Sequence, residues 1–219
     1  MTCPRFHYNW KMQSVFIITL VFVVWAVLHS IPADYRVKTW FRSRFGDQAY
    51  RWYRLGYNIF ATLSFIPVFL AYAALPDRPL WSAPPPWRWL MLAVQGIGLI
   101  GLIGAVFHTH VGEFAGVAQL RPGYDPDHKE PMRLTGLYCM VRHPIYFFGL
   151  LLVWFSPDIT LNSLAFAILA TLYFYFGAKH EETGLRQEFG PAYDAYRQRV
   201  PMLIPRYRTC SKLRAHIHL

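Results

Sequence analysis

The chain has 219 residues, 54% of them hydrophobic, 18% aromatic and only 16% charged, with a net charge of +10. A soluble domain carries nearer a quarter charged residues. Here the apolar residues also gather in runs approaching the ~20 that span a bilayer, which excludes an ordinary soluble domain. The missing period-2 alternation excludes a β-barrel. The basic excess reads as loop charge that sets topology and meets anionic lipid, not as a nucleic-acid footprint. The expectation is an all-α polytopic membrane protein in a single domain, 1–219, with about five transmembrane helices. Residues 1–110 supply the amino-terminal spans, 111–206 a second region and 207–219 a basic tail.

Residues Met1 to Lys11 form a short polar lead, and the first span runs from about Met12 to Ile31. It is too long for a signal-peptide apolar core and lacks a small-residue cleavage site, so it reads as a retained helix. Between Asp34 and Arg54, Val37, Trp40, Phe41 and Phe45 recur at helical spacing with Arg36, Lys38, Arg42 and Arg44 among them. That pattern predicts an interfacial amphipathic helix, read as a membrane-surface brace. The second span is about Leu55 to Leu75, with Pro67 as an expected kink. Ala83 to Trp89 makes an outer loop. The third span is about Trp89 to Phe107, and Gly96-Ile97-Gly98-Leu99-Ile100-Gly101 lies inside it. Those letters match a dinucleotide fingerprint, but they lack the strand and the exposed helix start that the fingerprint requires. Small residues in a span instead permit close helix approach.

A short fourth span, about Pro144 to Phe155, is followed by a turn at Ser156-Pro157-Asp158 and a fifth span from Leu161 to Ala178. The two form a carboxyl-terminal helical hairpin. Gly190-Pro191 then ends one amphipathic helix and starts another, with Phe189, Tyr193, Tyr196 and Val200 on one face. Of the 22 Lys and Arg residues, 18 fall in one set of alternate loops and 4 in the other. The positive-inside rule therefore predicts an outer amino terminus and a cytoplasmic carboxyl terminus, in keeping with a bacterial inner membrane.

Cys3, Cys139 and Cys210 are odd in number and scattered, which argues against a disulfide framework and against a zinc site. His108 and His110, two residues apart, share no helix face and make an unlikely metal pair, so no metal is expected. Arg142-His143-Pro144 alone would be a snorkelling arginine and an interfacial histidine, with Pro144 as a first helical residue. Glu181-Glu182 changes that reading. Two acids just after a span need cations, either Arg142 and Lys179 or a cationic ligand.

Arg142-His143-Pro144-Ile145-Tyr146, then Gly149, Glu181-Glu182, Phe189-Gly190-Pro191-Ala192-Tyr193-Asp194-Ala195-Tyr196 and Val200 to Pro205 resemble one superfamily. It is that of the isoprenylcysteine carboxyl methyltransferases and phospholipid methyltransferases, which are integral-membrane enzymes. Gly149 stands one residue later than in the superfamily pattern. His29, Ser30 and the Arg-rich loop look like NnrU-type proteins, and the 156–160 turn and Val200-Pro201-Met202-Leu203 look like methanethiol S-methyltransferases. The resemblance implies an S-adenosyl-L-methionine-dependent methyltransferase acting on a small thiol or a lipophilic or lipid acceptor. It implies that 111–206 binds the cofactor, at Gln119, Arg133, Leu134, Tyr138, Arg142, His143, Pro144, Ile145, Tyr146, Glu181 and Glu182. His143 and Tyr146 are the catalytic candidates. The competing expectations are an NADPH-dependent membrane reductase of related architecture and a non-enzymatic NnrU-like protein.

Overall fold

The computed structural model describes residues 4–125, 132 and 135–206, with side chains from Met12 onward. The helices are α1 (Pro4–Ala33), α2 (Tyr35–Ala74), α3 (Trp87–His108), α4 (Val111–Ala115), α5 (Pro144–Trp154), α6 (Leu161–Phe189) and α7 (Pro191–Arg199). Two short strands, β1 (Pro79–Ser82) and β2 (Asp158–Thr160), interrupt them. Among the described residues, four helices (α1, α2, α3 and α6) are long and apolar enough to cross a membrane. This is an all-α polytopic membrane protein. The expected fourth span is α5, whose 11 residues reach only about 16 Å at 1.5 Å per residue, half of a ~30 Å hydrocarbon core.

The chain forms two compact units. The first takes Met1–Leu92, Gly112–Pro126 and Ser156–Ala170; the second takes Ala93–Val111, Asp127–Phe155 and Thr171–Leu219.

In the first unit Ile18, Phe22 and Val68 are buried, and Phe22 packs edge-on against Trp25 and Phe166. The Asp34 carboxylate accepts from the Arg36 N–H at 2.7 Å and so caps α2. The break in α2 falls at Gly46 (φ 79°, ψ 173°), inside the stretch read from sequence as one interfacial helix, and the chain runs on from there through Arg54 into the second span. Only a residue without a Cβ adopts that φ at little cost, and Pro67 is carried within the helix. Asn58 donates to the Phe114 carbonyl at 2.8 Å, and Gly116 (φ 87°) packs on the backbone of Arg54 and Leu55. At the other end of α2, β1 pairs antiparallel with β2, Pro79 opposite Thr160 and Ser82 opposite Asp158. Arg88 closes this clasp with two bonds to the Asp158 carboxylate, at 2.9 and 2.8 Å.

In the second unit the glycine-rich run is a helix contact. A Cβ at Gly98 would lie 3.1 Å from that of Leu151, and one at Gly101 would overlap the Phe148 ring. Gln95 donates to the Leu152 carbonyl at 2.8 Å, fixing α3 on α5. Cys139, Tyr193, Tyr196 and Val200 form the buried core beneath α7, with Phe189 against it. Gly190 (φ 56°) and Pro191 separate α6 from α7 as the sequence implied. Cys139 is disulfide-bonded, which corrects the expectation from cysteine spacing; Cys3 and Cys210 lie outside the described residues.

Candidate functional site

The site is built in the second unit, where the start of α5 meets the far end of α6. Pro144 occupies the first position of α5, and His143 precedes it as a cap that makes no side-chain bond to the helix. The first backbone bond of α5 runs from the Phe147 N–H to the His143 carbonyl at 3.1 Å, so the amides of Ile145 and Tyr146 precede the helical ladder. The segment leading in is held from behind. Arg142 and His143 donate their N–H groups to the Pro201 and Met202 carbonyls at 2.9 and 3.2 Å, and Arg206 N–H returns to Met140. The Val200–Pro205 ending is thus a backbone brace for the Arg142-His143 dipeptide. Tyr138 lies in the 3₁₀ turn Gly136–Cys139, and its carbonyl accepts from the Tyr196 hydroxyl at 2.7 Å. His108 faces Gly136 in the same unit.

His143 is buried between two carboxylates. Its Nε2 lies 3.2 Å from Glu182 Oε1 and its Nδ1 lies 3.4 Å from Glu181 Oε2. Burial alone would lower the imidazole pKa, but the hydrogen bonds and charges of both glutamates outweigh it and hold the pKa above the ordinary histidine value. Glu182 also meets Arg142 Nη1 at 3.1 Å and faces Arg197 Nε at 3.9 Å. The Tyr146 hydroxyl donates to Glu181 at 3.2 Å. Arg142 Nε and the Tyr193 hydroxyl are buried without a hydrogen-bond partner among the described residues. Burial pushes the Tyr193 and Tyr196 hydroxyls well above the ordinary tyrosine value, so both stay neutral.

Three rings form one wall. His143 and Tyr146 stack at 5.3 Å within 4° of parallel, and Tyr146 and Phe174 at 5.0 Å within 6°. Gly149 lets the third ring sit close, because a Cβ there would stand 3.1 Å from Phe174 and push the ring aside by a few tenths of an ångström. The displaced glycine therefore shapes this wall.

The structure brings Tyr138, Arg142, His143, Pro144, Ile145, Tyr146, Glu181 and Glu182 into one unit. Gln119 belongs to the other unit, buried, donating to the Glu113 carboxylate at 2.9 Å. Arg133 and Leu134 lie outside the described residues. Of the two cations expected beside the glutamates, Arg142 meets Glu182, while Lys179 sits over the Tyr175 ring at 5.6 Å and His143 and Arg197 join Arg142 instead. Phe174 and Arg197 were not foreseen. Phe174 had a signal: it lies seven residues before Glu181, two helical turns away on the same face. Arg197 had none, since nothing in its spacing marks the turn of α7 that faces Glu182.

These features define a polytopic helical membrane protein with a carboxylate–histidine–tyrosine site beside its bilayer-crossing helices. The chain belongs to the NnrU protein family, which matches residues 17–154. It is 32% identical over 200 residues to methanethiol S-methyltransferase 1 of Bradyrhizobium diazoefficiens, covering 88% of this chain and 67% of that protein. It is 30% identical to the methanethiol S-methyltransferase of Pseudomonas sp. strain GM41(2012), covering 90% and 75%. Nurim of Xenopus laevis is 31% identical over 128 residues, covering 53% and 45%. The family match ends at Trp154, before the glutamates. An alignment covering 88% of the chain leaves too few residues outside it to miss Glu181 and Glu182. No solved structure matches the chain.

Proposed function

We propose that this membrane methyltransferase uses S-adenosyl-L-methionine and methylates a small thiol. The observation that carries the reading is the half-exposed Glu181 carboxylate beside the stacked rings of His143, Tyr146 and Phe174, in a chain of which 88% aligns with a methanethiol S-methyltransferase. The donor set fits this cofactor. Glu181 Oε1 has no protein partner among the described residues, and a half-exposed carboxylate suits an α-ammonium group. The amides that open α5 suit a carboxylate. With His143 and Phe174 stacked on its ring, Tyr146 offers a ligand its hydroxyl edge beside Glu181 rather than a face. Tyr138 is a further proposed contact in this unit, and Arg133 and Leu134 are proposed contacts from the resemblance.

When bound, S-adenosyl-L-methionine supplies a methyl group on a sulfonium sulfur. What the chain adds is alignment and exclusion of water rather than a nucleophile. A thiol gives up its proton far more readily than an alcohol, so a small thiol asks less of a base than a hydroxyl acceptor would. His143, with a carboxylate at each ring nitrogen, is held in its donating form, so its proposed role is to orient groups rather than to remove the acceptor's proton. We place the site on the cytoplasmic face of a bacterial inner membrane, with the amino terminus outside.

Calorimetric titration of the detergent-purified protein with S-adenosylhomocysteine, beside NADPH, tests this. Binding of the former alone, lost in Glu181→Gln, is the expected result. Binding of NADPH alone would give a reductase, and binding of neither would give the non-enzymatic reading.

A further inference from the structure

The adjacent glutamates of α6 live in opposite surroundings. Consecutive helical residues point ~100° apart, so one can face a pocket while the next faces protein. The Glu181 side chain is 51% exposed and that of Glu182 only 6%. Both Glu182 oxygens are turned to protein cations: Oε1 meets Arg142 and His143, and Oε2 faces Arg197. Glu181 spends one oxygen on His143 and the Tyr146 hydroxyl and keeps the other clear.

We propose that Glu182 is a positioning residue that acts through His143, while Glu181 is the member of the pair that touches the ligand. Glu182 joins three parts of the unit at one carboxylate: the segment entering α5, the end of α6, and α7. The backbone of that entering segment is already pinned to Pro201 and Met202. What remains to be set is the rotation of the imidazole, and the bond at Nε2 sets it. The ring then lies within 4° of parallel to Tyr146 and presents Nδ1 to Glu181. Glu182 thereby aligns the ring wall and the ligand-facing carboxylate without reaching the ligand. The ligand's identity rests on the methyl-donor reading; the positioning itself does not.

The test compares wild type, Glu182→Gln, His143→Gln and the double variant in detergent, each checked for folding by its melting temperature. S-adenosylhomocysteine is titrated calorimetrically, and the His143 imidazole is followed by NMR from pH 5 to 9 without ligand. Glu182→Gln and His143→Gln should each weaken binding about tenfold, the size of one charged hydrogen bond, and the double variant should be no weaker than His143→Gln. Glu182→Gln should also move the His143 titration to lower pH. Multiplying effects would mean that Glu182 meets the ligand itself, and an unmoved titration would mean that it does not organise His143; either overturns the proposal. If wild type binds no S-adenosylhomocysteine yet the titration moves, the methyl-donor reading fails and the positioning stands. Should Glu182→Gln not fold, Glu182→Asp keeps the charge on a shorter stem and gives the same comparison.

Discussion

At the scale of single residues, the site is a problem of charge in a confined place. His143 is buried, and a buried imidazole alone would give up its proton; Glu181 and Glu182 reverse that. The charged and titratable groups around it are Arg142 on its own segment, Glu181 and Glu182 from α6 together with the Tyr146 hydroxyl, and Arg197 behind Glu182. A histidine whose folded pKa is raised stabilises the fold fully below its unfolded value near 6.5, and that contribution disappears as pH climbs through the folded value. The melting temperature in detergent should therefore fall as the pH is taken from 6 to 9. His143→Gln should flatten that fall, because a neutral amide cannot titrate. An equally steep decline in the variant would place the titrating group elsewhere. The same residues show what a sequence conveys. Arg142, His143 and the two glutamates stood out by residue type, as charged groups at the edges of apolar runs, and Tyr146 was named only through the family resemblance. The division between Glu181 and Glu182 was not, since two adjacent acids look alike until the helix rotation that separates them is known.

At the scale of elements, α3 and α5 depend on the absence of side chains. Gly98 and Gly101 face α5, and at Gly101 the Phe148 ring occupies the place a Cβ would need. Gly104, one turn further, has nothing within 4 Å of that place. Gly101→Ala should destabilise the protein by about 1–3 kcal/mol, as overpacking of a filled interior does. Gly104→Ala should be neutral or better, since alanine is the stronger helix former by about 1 kcal/mol. Detergent or urea unfolding of the two variants checks this, and equal effects would show that α3 and α5 do not pack through Gly101. Helix existence and the Gly190-Pro191 junction were readable because apolar runs and Gly–Pro punctuation act locally. The break in α2 at Gly46 was not foreseen, since the only kink expected was at Pro67. The charge pattern across Phe45 to Arg54 continues without a signal, and Gly46 declares itself only through its positive φ. The β1–β2 clasp was also unreadable, because strands of four and three residues pair across 75 residues of chain with no hydrophobic alternation to mark them.

At the scale of the whole molecule, the open question is how many times the chain crosses, and the clasp constrains the answer. β1 lies in the connection from α2 to α3, and β2 in the connection from α5 to α6. Strands that share hydrogen bonds are on the same side of a membrane, so Pro79–Ser82 and Asp158–Thr160 face one compartment. Both connections are poor in Lys and Arg, with only Arg78 and Arg88 between Pro76 and Arg88 and none in the 156–160 turn. In the orientation proposed above, that compartment is the outside. If α3 leaves it and α6 leaves it again, the chain must come back between them, and α5 is the helix available. At 11 residues α5 is too short to cross an unthinned bilayer. The return is therefore expected to need the 140–143 segment drawn towards the surface layer, where bonds to Leu137, Pro201 and Met202 satisfy its N–H groups. Single cysteines at Ser82, Ser156, Arg121 and Arg206, in a background without native cysteines, test this with an impermeant thiol reagent on intact cells. Ser82 and Ser156 should label, and Arg121 and Arg206 should label only after the membrane is opened. Labelling of Ser82 without Ser156 would break the shared compartment and the clasp with it. Labelling of Arg206 alongside the first two would place the Glu181–His143 site outside, away from any cytoplasmic supply of a methyl donor.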